Sequence, residues 1–333
     1  MFRTPQKPPE SEKAYQANPS RTCSVRIFGP VPSRRLGRSL GVDLVPPKTC
    51  TYNCIYCESG TTTHLTVERF SPYTVAEIID ELDYHLAHSS SAPEIITLSG
   101  AGEPTLHAGI GELIYRIKGL TSLPVAVITN GSLLCLPEVR QEIAQADLVL
   151  PSLDAATDEV FRRINRPHCS LDLVEIIAGL LKFRRHFSGQ IWLEILLVQG
   201  VNDVAPELEA LRNVVEKLQP ERLQLNTVDR PPQVPWAKPV SRTRLHEIAG
   251  FFGTPVEIIS RFDRRPAEHH TPEDLEGRII QMIRRRPCTK EQISAALGVE
   301  LSEVAILLEA MTSSGHIKRR RHQGSHFYTC ADA

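Results

Sequence analysis

Residues Cys50-Thr51-Tyr52-Asn53-Cys54-Ile55-Tyr56-Cys57 put three thiols on one short loop. Three thiolates this close can hold three corners of a cubane [4Fe–4S] cluster, leaving the fourth iron without a protein ligand. An electron-transfer protein closes that corner with a fourth cysteine; an open iron is a place for chemistry. The chain has eight cysteines in 333 residues. At that frequency a C-x3-C-x2-C match arises by chance about 0.005 times, treating positions as independent. Structural zinc takes four ligands, usually as two separated pairs. This chain has no second Cys-x2-Cys pair, and Cys23, Cys135, Cys169, Cys288 and Cys330 stand singly. The spacing predicts Cys50, Cys54 and Cys57 as cluster ligands.

With Tyr56 at the aromatic position of C-x3-C-x-aromatic-C, these residues resemble the signature of the radical S-adenosylmethionine (SAM) superfamily. The resemblance implies that the open iron chelates the amino and carboxylate groups of SAM. It also implies an external electron donor such as flavodoxin or ferredoxin, whose electron cleaves the sulfonium to a 5′-deoxyadenosyl radical. The stretch from Phe28 to Pro47 looks like a subgroup grouped with wyosine-type tRNA-modifying Fe–S oxidoreductases. The resemblance covers about residues 25–260.

The composition agrees with a soluble enzyme. The chain is 41% hydrophobic and 23% charged, enough for one large domain and a small one. A formal net charge of −1 provides no global field toward nucleic acid or anionic lipid. No run approaches the length of a membrane-spanning helix, so no membrane is expected. Residues 1–24 are polar and rich in Pro, Lys, Glu and Ser, and read as a mobile tail without a secretory signal. Unpaired thiols and an oxygen-sensitive cluster point to a reducing cytoplasm.

Beyond the cysteines, short apolar runs alternate with helical periodicity. Gly41–Val45, Glu94–Ser99, Pro124–Thr129, Asp147–Leu150, Gln190–Val198 and Arg222–Val228 read as six strands covered on both faces. Stripes such as Val75, Ile78, Ile79, Leu82 and Leu86, opened by a Thr74/Glu77 capping box, read as helices between them. Alternation predicts a parallel sheet with right-handed crossovers. The resemblance implies a partial (βα)6 TIM-type barrel, α/β in class, over residues 25–265. In such barrels chemistry sits on loops after the strands' C-terminal ends, and the polar motifs fall there.

Gly100-Ala101-Gly102-Glu103-Pro104 resembles the superfamily's Gly-Gly-Glu-Pro motif, with Ala101 in place of a glycine. Gly100 and Gly102 would allow close backbone approach, and Glu103 or the adjacent carbonyls would accept from the SAM ammonium. By the same resemblance Asn130, Ser152 and Asp154 would contact SAM, where otherwise they cap helices. Tyr56 and Val201 are candidate adenine contacts, and Glu194, inside a strand and pointing into the barrel, is a candidate SAM-site residue whose carboxylate needs a partner. Phe161–Cys169, with Arg162, Arg163, Asn165, Arg166 and His168, reads as the substrate-facing loop. Arg34, Arg35 and Arg38 are either substrate-binding or solvated.

Residues 271–333 read as a second domain of three helices and a hairpin, resembling a winged helix-turn-helix. Its third helix carries Glu303 and Glu309 without Lys or Arg, a poor surface for DNA phosphates. The hairpin carries the basic run Lys318-Arg319-Arg320-Arg321-His322. The expected function is hydrogen-atom abstraction from a substrate, with a tRNA base first and a peptide or protein docked by the second domain as the alternative. A non-catalytic Fe–S regulator that reads DNA is the rival from another class. The cofactors expected are a [4Fe–4S] cluster and SAM.

Overall fold

A computed structural model describes residues 26–33, 35–88, 92–253, 255–259 and 275–331. Eight strands form one sheet in sequential order: β1 (Ile27–Ser33), β2 (Gly37–Asp43), β3 (Ile95–Ser99), β4 (Val125–Thr129), β5 (Leu148–Pro151), β6 (Gln190–Leu197), β7 (Arg222–Thr227) and β8 (Val256–Ile258). The pairings from β2 to β8 are parallel, and β1 runs antiparallel to β2. The crossovers carry α1 (Val75–His88), α2 (Ile110–Leu120), α3 (Pro137–Ile143), α4 (Asp158–Ile164), α5 (Leu173–His186) and α6 (Ala205–Leu218), and α7 (Arg242–Phe252) leads into β8.

The alternation of side chains along the strands shows where the helices lie. Val125 and Val127 of β4, Val149 of β5 and Ile191, Leu193, Ile195 and Leu197 of β6 pack into one large core. Ile78 and Leu82 of α1, Ile114 of α2, Phe183 of α5, Leu211 of α6 and Ile248 of α7 join the same core. The intervening strand residues Ala126, Leu148, Leu150 and Trp192 form a smaller cluster on the opposite face. A doubly wound sheet would have helices on both faces. Here they cover one, and the other lines an interior.

All six expected strands are present within a few residues. The two unforeseen strands have physical reasons. β1 is Ile-Phe-Gly-Pro-Val-Pro-Ser, with a break in register between Phe28 and Val31, and proline is tolerated because the strand is at an edge. β8 has three residues, too few to show a period. The capping box at α1 forms as read: Glu77 N donates to Thr74 Oγ1 (3.2 Å) and Thr74 N to Glu77 Oε2 (2.8 Å).

The C-terminal residues form α8 (Leu275–Arg285), α9 (Lys290–Leu297), α10 (Leu301–Ser313) and the antiparallel hairpin β9 (Ile317–His322) and β10 (Ser325–Cys330). They share a core of Ile279, Ile283, Ile293, Val304, Leu308 and Tyr328. This module grips the sheet at both ends. Arg285 Nε donates to Asp43 Oδ2 at the end of β2 (2.6 Å), and Gln323 Nε2 donates to Val228 O just beyond β7 (2.7 Å). The tail at 1–24, Arg34 and the junction between the two expected domains lie outside the described residues. Among the described residues no helix is long and apolar enough to cross a membrane.

Gly179 of α5 is set by packing. A Cβ there would lie 2.2 Å from Leu134 O and 2.6 Å from Cys135 N, both backbone atoms. Gly179→Ala gains about 1 kcal/mol of helix propensity, yet the overlap costs about 1–3 kcal/mol, or more where backbone must move. A lower urea midpoint is expected; an unchanged or raised midpoint contradicts this packing.

Candidate active site

The loop after β2 carries the three cysteines over the C-terminal ends of the strands, clamped from two sides. On one side Lys48 N donates to Ala101 O (2.7 Å) and Glu103 N to Thr49 O (3.0 Å). On the other, Asn53 N donates to Asn165 O (3.0 Å), Ile55 N to Ile164 O (3.0 Å) and His168 N to Thr51 O (2.9 Å). Tyr52, Ile55, Phe161, Ile164 and Val201 form the apolar support of the loop. Val201, expected at adenine, is buried in this support.

The segment from Phe161 to Cys169, expected to face substrate, is therefore the backbone partner of the cysteine loop. Phe161 and Ile164 are buried and pin it down. Arg162 pairs with Asp158 on the surface (2.7 Å), Arg163 lies over the Trp236 ring (6.0 Å), and Cys169 is exposed. Asn165 is the residue that sequence reasoning placed in the wrong role. Its Nδ2 donates to Cys54 Sγ (3.5 Å) and to Asp154 Oδ2 (2.8 Å). The buried Phe161/Ile164 pair was the available signal that the segment packs inward.

Asn130 mirrors this arrangement. Its Nδ2 donates to Cys50 Sγ (3.5 Å) and Thr51 Oγ1 (2.7 Å), while its Oδ1 accepts from Ser132 N (2.9 Å). Two amide side chains thus reach two of the three sulfurs. Hydrogen bonds to cysteine sulfur are among the factors that set the potential of an iron–sulfur cluster.

Glu103 is buried, and four protein donors engage its carboxylate: Thr105 N (3.1 Å), Thr105 Oγ1 (2.6 Å), Thr129 Oγ1 (2.6 Å) and Asn130 N (2.8 Å). Burial pushes its pKa up, and these hydrogen bonds oppose the rise. The carboxylate thus faces inward, leaving the neighbouring carbonyls as the expected acceptors on this loop. Gly100 and Gly102 are required sterically. Gly100 has φ +146°, and a Cβ there would lie 1.9 Å from Asp43 Oδ1; one at Gly102 would lie 2.5 Å from Thr49 O.

Asp154 collects Tyr56 O–H (2.5 Å), Asn165 Nδ2 and Leu196 N (2.9 Å). Burial pushes its pKa up to about 6 against these donors. Ser152 lies just beyond β5 and bridges to Glu194. Glu194 has the partner it required, Arg35. The structure therefore brings Glu103, Asn130 and Cys50 into one hydrogen-bonded set and Cys54, Tyr56 and Asp154 into another, both meeting the loop that carries Cys57, with Ser152 at the edge.

The thiols are as crowded electrostatically as the carboxylates. Burial, then Glu103, pushes Cys50 up to about 12. Cys54 is raised well above the usual range by burial and by Asp154, Cys50 and Cys57. Burial also raises Cys57. Such a set favours a positively charged guest, which would release the protons and relieve the repulsion. Among the described residues no three His, Cys, Asp or Glu side chains converge closely enough for one metal ion, and no described cysteine is in a disulfide.

Residues 44–211 match the family model described as the Radical SAM superfamily. The chain belongs to this superfamily. A protein of Brachyspira hyodysenteriae named GTPase Obg is 38% identical over 303 residues, 90% of this chain, and this chain spans 44% of that protein's length. A UPF0026 protein of Helicobacter pylori is 35% identical over 269 residues, 80% of this chain and 86% of its own. A radical SAM methyltransferase from Sphaerobacter thermophilus shares the fold, with a TM-score of 0.53 and 19% identity over 66% of this chain and 65% of its own. As a radical SAM enzyme this protein uses a [4Fe–4S] cluster and SAM, and enzymes of this superfamily generally need an external reductant.

Removing the Glu103 carboxylate strands its buried donors. Glu103→Ala should lower unfolding free energy by roughly 2–4 kcal/mol, since each buried donor left unpaired costs about 1–3 kcal/mol. Glu103→Gln, which keeps an acceptor oxygen, should lose less. Equal denaturation midpoints for wild type and Glu103→Ala would contradict this role.

Proposed function

We propose that this radical SAM enzyme abstracts a hydrogen atom from an RNA base. In this reading Cys50, Cys54 and Cys57 ligate the cluster, and Asn130 and Asn165 orient two of the thiolates through their side-chain amides. The Gly100–Gly102 backbone accepts from the methionine ammonium of SAM, with Glu103 as the buried post that shapes the loop. Tyr56, Asp154 and Ser152 line the nucleoside side. When bound, the cluster and SAM supply a carbon-centred radical; the protein's residues place both groups and exclude water.

The observation that carries this reading is a pair of hydrogen-bonded chains that meet the cysteine loop from two sides, Glu103 through Asn130 to Cys50 and Asp154 through Asn165 to Cys54. The sequential strands with helices on one face support an incomplete (βα)6 barrel, with the site at its C-terminal rim. We assign residues 25–265 to this core and 271–333 to a winged-helix domain, working in the reducing cytoplasm with a flavodoxin- or ferredoxin-type donor.

RNA is favoured over DNA by the C-terminal module. The exposed residues Lys318, Arg319, Arg320 and Arg321 lie on β9, whereas α10 presents Glu303 and Glu309. A groove-reading helix would need the opposite distribution.

Anaerobically reconstituted protein given dithionite and SAM should release 5′-deoxyadenosine, and Cys54→Ala should abolish release together with iron content. No release from wild type carrying both cluster and SAM would overturn the proposal, as would undiminished release from the variant.

A further inference from the structure

Between the sheet and the C-terminal module runs a cleft of ≈ 1910 Å³. It extends from Arg35 and Gly100 at the sheet, past Glu58 and Arg230, to Arg286 and Arg319 of the module. Eight Arg and Lys residues line it against five carboxylates. Two of those carboxylates are already paired: Glu94 faces Arg38, and Glu58 faces Arg230. Arg35 and Arg285 of the lining are paired with Glu194 and Asp43, which leaves a small excess of positive charge here in a chain that is nearly neutral as a whole.

Arg230 is the unusual residue in this cleft. It lies three positions beyond β7, is 9% exposed, and donates through Nη1 to Glu58 Oε2 (2.5 Å). Its Nε is buried without a hydrogen-bond partner. The charges of Glu58 and Asp229 both bear on the guanidinium, yet this one donor is left unused. The unmet donor belongs to a residue that lines a cationic cleft, and Glu58 directly follows the cysteine Cys57.

The module fixes this position. Gln323 holds Val228 O, two residues before Arg230, and Ser59 Oγ donates to Arg285 O (3.1 Å). Cys288 is buried, which raises its thiol pKa, and the charges of Arg286 and Arg230 oppose that rise. From there cationic side chains continue to Arg319 and the exposed run on β9. A cationic track ending in a buried, under-used guanidinium beside the cysteine loop suits a phosphodiester backbone.

We propose that this cleft binds RNA phosphates, with Arg230 the innermost anchor and Arg286 and Arg319 on the approach. This rests on the RNA reading given above and extends it. The C-terminal module is then one wall of the substrate site, and seating a phosphate on Arg230 brings the adjoining nucleotide to the cysteine loop.

The test is fluorescence-anisotropy titration of unfractionated transfer RNA and a mixed-sequence single-stranded RNA of about 20 nucleotides, over a salt series from about 50 mM. Iron content serves as the folding control. Arg286→Ala and Arg319→Ala should each weaken binding about threefold to tenfold and reduce the log–log salt slope by about one. Arg230→Lys, which keeps the charge but loses the planar fork, should weaken binding while retaining iron. RNA binding by wild type that none of the three variants alters would overturn the cleft assignment alone. Absence of RNA binding by iron-loaded wild type would overturn the RNA reading as well. Variant-sensitive binding of poly-L-glutamate in place of RNA would do the same and assign the cleft to an acidic polypeptide.

Discussion

The clamp on the cysteine loop is the constraint on which the site depends. Loops are ordinarily mobile, and three thiols on a free loop would sample many separations. Here backbone amides of the loop are bonded to residues 164–166 on one side, and Lys48 and Glu103 tie it to the Gly100–Glu103 turn on the other. Each tie is modest, a net 0.5–1.5 kcal/mol for a typical hydrogen bond. Their joint effect is to reduce the freedom of the sulfurs before iron arrives, the preorganisation that a functional site requires.

The clamp in turn depends on the winding of the sheet. Parallel strands in sequential order bring every βα loop to the same rim, so the turns after β3, β4 and β5 and the segment following α4 reach a single cysteine loop. Helices on one face hold those strands with a continuous apolar core, while the other face is left to carry polar pairs such as Ser39 with Thr97 and Arg35 with Glu194. The C-terminal module then contacts the first parallel strand and the end of β7, bridging the sheet from one end to the other.

Most of this was legible in the sequence where a period or a spacing is enforced by burial. The strand runs are rich in Ile, Leu and Val because one face packs into the core under the helices and the other carries a smaller apolar cluster. The C-x3-C-x2-C spacing is dictated by one loop meeting three corners of one object. The Gly100/Gly102 pair could be read because a side chain at either position meets backbone or carboxylate atoms. Direction was not legible. Glu103 points into the core because Thr105, two residues on, and the distant pair Thr129 and Asn130 supply donors there. Asn165 sits among arginines that face solvent, yet helical geometry and the burial of Phe161 and Ile164 turn it toward Cys54. Arg230 gave no signal at all, since its buried, unmet donor exists only in the folded chain, where Glu58 from the cysteine loop meets it. Such features belong to tertiary convergence, which no local pattern encodes.

The central claim is that three thiolates on a clamped loop hold a cluster with one iron left for SAM. The most direct measurement is 57Fe Mössbauer spectroscopy of anaerobically reconstituted protein, with and without SAM. The account predicts about four irons per chain, one of which changes its spectrum when SAM is added while the other three do not. Four irons that are all indifferent to SAM would contradict it.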